Sequence, residues 1–394
     1  MFKHLFKLIW NKKKQNFLLI SEIFISFLVI FAVFTFGVYA WKNYNKPMGF
    51  DYSRVWTINY NNQVKTNNPD SLVQFYEGIR QKLKSIPQIE EVSFTNDNTP
   101  FSQYTNNTGI NVKGRDMSGV NFFQVDDHYK DLLKINLVEG RWYNKGDEPL
   151  KNHVIVINKL CAQEAFGNTS AVGKYINENN PKEKARVIGV VEDTKYWGDY
   201  KPAEKAMFAR FDTSAYHWLD RILVRVSPEA DAAFESRLYK VMASSMKNSN
   251  IEIEHLAVKK GSYNKFMLVP LIILSIVATF LIINVALGLF GVLWYNINKR
   301  RGEIGLRRAI GADGNTVSTQ LVMEALILAT FSLLIGSFFA VQFPLLNVFN
   351  LPASVYIIAL ILAVVFIYLL VLICSLYPGR QAAAIYPAVA LHEE

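Results

Sequence analysis

The chain has only two cysteines and six histidines in 394 residues, and that scarcity removes whole classes of chemistry. Cys161 lies in a polar stretch and Cys374 in an apolar run near the end, so the two are not expected to pair and no disulfide framework is read. His4, His128, His153, His217, His255 and His392 are scattered, without the HxxH or HExxH spacing that gathers a catalytic metal. They are expected as solvated or capping side chains. No GxSxG nucleophile elbow is present. The segment GNTSAVGK, 167–174, has five residues between its glycines where a phosphate loop needs four, and Tyr175 stands where Ser or Thr would hold magnesium. It reads as a turn. No metal, bound cofactor or catalytic constellation is expected in this chain.

Charge is nearly missing from four long stretches. Phe17 to Ala40 holds one charged residue, Glu22; Met267 to Tyr295, Leu321 to Leu346 and Val355 to Leu376 together hold only Glu324. A span needs about 20 largely apolar residues at about 1.5 Å rise each, and all four are long enough. The first has a basic start but is too long for a signal-peptide core, and its exit, Val38-Tyr39-Ala40-Trp41-Lys42, lacks a small-x-small cleavage site. It is read as an uncleaved anchor. The expected organisation is a basic tail over 1–16 and spans over 17–41, 267–296, 321–346 and 355–376. A loop over 297–320 and a tail over 377–394 complete it.

Lysine and arginine set the orientation. Lys3, Lys7, Lys12, Lys13 and Lys14 precede the first span, Lys299, Arg300, Arg301, Arg307 and Arg308 follow the second, and 347–354 carries no charge. Both termini and the basic loop are therefore expected in the cytoplasm, with 42–266 outside. That outer segment holds 31 Lys and Arg against 27 Asp and Glu, so the net charge of +9 arises largely beside the membrane, facing anionic lipid. A nucleic-acid partner needs a basic face on a soluble domain, and none is expected.

The ends of the outer segment repeat a pattern. Val55 to Tyr60 reads as a strand, Asp70 to Ser85 as a helix with Leu72, Tyr76, Ile79 and Leu83 on one stripe, and Val92 to Thr95 as a strand. Arg221 to Val226 alternates as a strand, Ser227-Pro228-Glu229 reads as a helix start, Phe234, Leu238 and Val241 line the helix, and Ile251 to Leu256 alternates again. Two strand–helix–strand units, about 50–110 and 216–260, thus flank an inserted strand-rich part of about 110–215. That insertion contains strands at 154–157 and 187–191 and a helix from Lys159 to Phe166. The fold class is membrane α-helical, with four transmembrane helices and a large α+β extracytoplasmic domain of two subdomains.

Several short motifs fall in a fixed order. They are Gly140-Arg141-Trp142, Ile157-Asn158, Gly173-Lys174 and Val187 to Val191, then KRRGEIGLRRAIGA from Lys299 to Ala312, then YPGRQAAAIYPAVAL from Tyr377 to Leu391. In wording and order they resemble the permeases related to the macrolide exporter MacB, the cell-division protein FtsX and the lipoprotein-releasing complexes. The resemblance runs from about 135 to the end, with compatible topology before it.

It implies a permease subunit of an ABC transporter in the bacterial cytoplasmic (inner) membrane. This chain would hydrolyse nothing, and would transmit work from a separate cytoplasmic ABC ATPase that holds ATP and magnesium. Full MacB carries its ATPase ahead of the first span, where this sequence has a short basic tail. Two ATPase copies and a second permease chain, identical or paralogous, are implied, with a possible periplasmic adaptor or outer-membrane channel. Export, efflux or extraction of a substrate is the expected role. The alternatives are FtsX-like regulation of envelope hydrolases, antimicrobial-peptide sensing and lipoprotein release.

The coupling residues the resemblance points to are Glu303, Ile304, Gly305, Arg307, Arg308 and Gly311, in a short helix bracketed by Gly302 and Gly311. Ile304 and Ile310 are expected to face a partner or lipid, Arg307 and Arg308 to grip phosphates or acidic side chains, and Asp313 or Asn315 to cap the next helix. The second span, to Arg301, is expected to carry the motion outward. Among intramembrane polar groups, Glu22 and Glu324 are expected near water in structural ties, while Asn284 and Gln342 carry no assigned role. Gly288 and Gly291 allow close helix approach, as in a dimer.

Overall fold

The computed structural model describes residues 13–61, 68–96, 98–102, 105–147, 153–211 and 215–385. The basic tail before Lys13 and the end of the C-terminal motif, 386–394, lie outside the described residues, as do the side chains of Lys13 and Lys14. The chain forms two compact units, residues 43–267 and the two segments on either side.

In the first unit, β1 (Val55–Tyr60), α2 (Pro69–Lys84) and β2 (Ile89–Thr95) make one strand–helix–strand half; the label α1 is kept for the N-terminal helix Lys13–Tyr44. Far along the chain, β10 (Arg221–Val226), α5 (Ala232–Ser245) and β11 (Ile251–His255) make the other. The strands interleave in the order β11-β1-β10-β2, all antiparallel, which is the split βαβ arrangement. Asn68 starts α2 by accepting the amides of Asp70 and Ser71, and Pro69 occupies the first turn, where its missing N–H costs nothing. Leu72, Tyr76, Ile79 and Leu83 are all buried against Ile58, Phe94, Ile222 and Val224. Each such side chain stabilises the fold by about 1.5–3 kcal/mol.

Two local expectations change. The 227–229 segment is a turn, and α5 starts at Ala232, where the Asp231 carboxylate accepts the Phe234 amide at 2.8 Å. Its third buried residue is Met242, while Val241 is half-buried.

The inserted residues form β3 (Asn107–Val112), β4 (Arg115–Val125), α3 (Tyr129–Leu133), β5 (Leu137–Gly140) and β6 (His153–Asn158). They continue with α4 (Lys159–Phe166), β7 (Tyr175–Ile176), β8 (Ala185–Val191) and β9 (Ala206–Arg210). They extend the same sheet in the order β2-β4-β9-β6-β8-β5, with β3 on β4 and β7 on β8. Each lobe has a core of its own, a further cluster that packs Val55 and Leu223 with Val125, Tyr129 and Leu132 bridges them, and β2 meets β4 at one paired position, Thr95 opposite Val125.

In the other unit, α1 packs Ile23, Phe27, Ile30 and Phe31 on α8 (Gly314–Leu345) and α9 (Ala353–Ala383), which present Ala325, Ala329, Ala359 and Ala363. Small residues let these helices approach closely. The Phe27 ring lies against the backbone of Gly336, and Ser332 Oγ donates to the Ile20 carbonyl at 3.0 Å. The remaining long helix, α6 (Leu256–Lys299), begins eleven residues before the expected Met267 and contains Pro270. Among the described residues, four helices, including α6, are long and apolar enough to cross a membrane. Gly288 of α6 is packed by the Glu22 carboxylate of its own chain, and at Gly291 the space is open.

Candidate coupling site

The basic loop is shorter than expected and mostly helical. The third spanning helix begins at Gly314, so only Arg300, α7 (Arg301–Ala309) and a turn over 310–313 separate α6 from α8. Gly311 has φ +101°, a conformation glycine adopts without strain, and its amide closes on the Arg308 carbonyl at 3.2 Å. Asp313 stands at the N-cap of α8, but its side chain makes no capping bond; its backbone carbonyl accepts the amides of Thr316 and Val317.

The six expected residues divide by helical spacing, apart from Gly311 in the turn. Ile304 and Gly305 are buried and Arg308 is half-buried, on one face of α7. Glu303, Leu306, Arg307 and Ile310 are exposed, at the i, i+3, i+4 and i+7 positions of the opposite face. Ile304 is therefore not directed at a partner; it packs with Ile297, Val317, Leu321 and Ala382. Ile310 is 79% exposed. Leu306, 51% exposed, completes an apolar pair with it and was missed by motif reading, although its spacing carried the signal.

The arginines differ in kind. Arg307 pairs with Glu303 one turn earlier and donates to Gln320 Oε1 at 3.2 Å, so it stays on the exposed rim. Arg308 donates from Nη1 to the carbonyl of Ala383 instead of standing free. Arg300 pairs with Glu324 at 3.2 Å, the structural tie expected of that carboxylate. The exposed face thus offers two aliphatic side chains beside an Arg–Glu pair, the composition of a docking patch with a polar rim.

The outer motifs are structural. Gly140, φ +73°, presses on the Ile188 carbonyl, and Arg141 binds Asp147 through two bonds of 2.5 and 2.7 Å. Asn158 caps α4, and the 167–174 segment turns at Gly167 and Gly173, both with positive φ. Burial raises the Cys161 thiol to about 12, far from a nucleophile's range. Among the described residues, no group of three His, Cys, Asp or Glu side chains gathers to hold a metal.

Comparison with known proteins places this arrangement. The family model of the MacB-like periplasmic core domain matches residues 17–240, more than half of the chain. The chain belongs to the MacB-like family. The FtsX-like permease C-terminal model matches residues 275–387, which include α7. The MacB-like chain is 23% identical to the uncharacterized ABC transporter permease YvrN of Bacillus subtilis over 292 residues, covering 69% of this chain and 70% of that protein. It is 24% identical to the macrolide export ATP-binding/permease protein MacB of Bdellovibrio bacteriovorus over 283 residues, 68% of this chain but 43% of that protein. The match thus spans less than half of that MacB. Among solved structures it is similar to the periplasmic region of MacB from Actinobacillus actinomycetemcomitans, at 17% identity and TM-score 0.40, covering 57% of this chain and 98% of that one. It is an ABC transporter permease of the MacB-like and FtsX-like kind, with transmembrane helices.

Proposed function

We propose that this MacB-like permease couples ATP hydrolysis in a separate cytoplasmic ATPase to movement of its outer domain, for efflux or extraction of a substrate. The observation that carries the reading is the two-faced α7: an exposed stripe of Glu303, Leu306, Arg307 and Ile310 backed by a buried one. Leu306 and Ile310 enter an apolar socket on the ATPase, and Arg307 with Glu303 sets the register. Two permease chains, identical or paralogous, sit in the bacterial inner membrane with both termini cytoplasmic, served by two ATPase copies that hold ATP and magnesium. Closure of the ATPase pair on ATP presses the two α7 helices together. A periplasmic adaptor or outer-membrane channel completes the route where an outer membrane exists.

The test is mild solubilisation of the tagged chain from native membranes, counting what accompanies it. Equal numbers of permease and ATPase chains are expected. Leu306→Glu with Ile310→Glu should lower the ATPase recovered by at least about tenfold, about 1.4 kcal/mol of docking energy. Recovery at the unsubstituted level, or a stable complex without any ATPase, defeats the proposal.

A further inference from the structure

Two anchors fix α7 from behind; the first is linked to the exposed stripe through Gln320, which accepts from Arg307, and the second is not. At its start, Arg300 Nη1 pairs with Glu324 of α8, and Gln320 Nε2 reaches the same carboxylate at 3.4 Å. At its end, the Arg308 guanidinium reaches the carbonyl of Ala383, the last residue of α9. That carbonyl is one of those a helix leaves unsatisfied at its C-terminus, where the helix dipole also favours a cation. The junction is tight: a Cβ on Gly314, the first residue of α8, would overlap Arg308 Nη1 and lie 2.9 Å from the Ala383 carbonyl oxygen. One turn back, Gly379 of α9 packs on Ser318 of α8, and Ile304 fills the space between Val317, Leu321 and Ala382.

We infer that Arg308 is a positioning residue which delivers the displacement of α7 to α8 and α9 together, and that it is not a contact for the ATPase. Close-packed interiors transmit displacement with little loss, and Arg308 is the point where the ends of three helices meet. The route differs from one along α6 alone. This inference rests on the coupling reading and gives its helical residues two separate roles. Glu303 and Arg307 lie on the docking face, whereas Ile304, Gly305 and Arg308 belong to the face that carries motion.

The test uses the full chain with its ATPase in lipid nanodiscs, with Cys161 and Cys374 replaced by serine and a spin label on exposed Asn315 at the head of α8. Three quantities are read: the ATPase retained, the thermal midpoint, and the ATP-driven change in the Asn315-to-Asn315 distance between the two permease chains. Arg308→Ala is expected to retain the ATPase and the midpoint while the ATP-driven distance change shrinks at least about fivefold, the lower end of ordinary coupling energies. Gly314→Ala, whose added Cβ would push the Arg308 guanidinium off this junction while keeping its charge, is expected to do the same. Loss of the ATPase from Arg308→Ala would make Arg308 a contact and overturn the inference. A full distance change in either variant would overturn it as well. Absence of ATPase from the unsubstituted chain would instead defeat the coupling reading itself.

Discussion

Asp126 binds Arg80 at 2.6 Å across the joint between the two lobes of the outer domain, with both side chains 11% exposed. The carboxylate also accepts Ser93 Oγ at 2.6 Å and the Phe94 amide at 2.9 Å, both from β2. The sheet itself contributes one paired position there, and Asp126 joins the lobes alongside the shared core around Val55, Leu223 and Tyr129 and the bond from Arg225 Nε to the Leu132 carbonyl. Asp126→Ala leaves Arg80 with Glu77 at 3.3 Å and the Val92 carbonyl at 2.7 Å, strips the acceptor from Ser93 and Phe94, and is expected to cost about 2–4 kcal/mol. Urea unfolding of the outer domain, followed by tryptophan fluorescence in the full chain, measures it. A loss below about 1 kcal/mol would show that the lobes are held by other contacts.

Beside that joint, His128 Nδ1 lies 3.4 Å from Glu91 Oε1. The hydrogen bond to Glu91 raises the imidazole above its usual 6.5, against the opposing effects of burial and of Arg80. Burial alone would raise Glu91, but bonds from His128, the Val92 amide and Lys84 bring it down to about 2, so it stays ionised near neutrality. A raised histidine contributes stability that is complete below 6.5 and is lost as pH climbs through its elevated value. The thermal midpoint of the outer domain should therefore fall between about pH 6 and pH 8. His128→Gln should flatten that dependence, and an unchanged slope would remove His128 as its source.

Asn158 and Asp231 both cap helices, yet their substitution should differ in cost. Asn158 is fully buried: its oxygen accepts the amides of Cys161 and Ala206, and its nitrogen donates to the Glu204 carbonyl. Asn158→Ala leaves two buried amides and a part-buried carbonyl unpaired and is expected to cost about 2–4 kcal/mol. Asp231 is exposed and makes the single capping bond to Phe234, so Asp231→Ala should cost about 1 kcal/mol. Parallel urea titrations give both values, and equal losses would contradict the difference in burial.

Gly336 of α8 leaves room for the Phe27 ring, where a Cβ would collide with it. Gly336→Val is expected to destabilise the helical unit by about 1–3 kcal/mol through overpacking. Phe27→Leu on the same chain should recover part of that loss. The thermal midpoint in detergent reads both, and additive losses in the double variant would show that the two positions do not meet.

Much of the architecture was legible. The apolar runs were unbroken, the α2 stripe of Leu72, Tyr76, Ile79 and Leu83 followed the helical period, and alternation marked the strands at the ends of the outer domain. The boundaries were less so. Leu256 to Phe266 is too polar for a span, yet it continues α6: it holds no proline, and its one glycine, Gly261, weakens a helix without ending it. Ser227-Pro228 had the composition of a helix start, but Asp231, four residues later, offered the better-placed oxygen. Pairing order was hidden because strands 1 and 10, neighbours in the sheet, are separated by the whole insertion.

The sequence by itself determined which segments are apolar enough to span, which faces of the outer helices are buried, and that α7 is a short amphipathic helix with arginines in its last turn. Those properties depend on residues within one or two turns of each other. It did not separate Arg307 from Arg308, two adjacent residues of identical chemistry. Only the tertiary structure did so, by bringing the carbonyl of Ala383, 75 residues away, to one guanidinium and leaving the other on the exposed rim. A contact between distant residues leaves no mark on local periodicity, because it depends on where the helices pack.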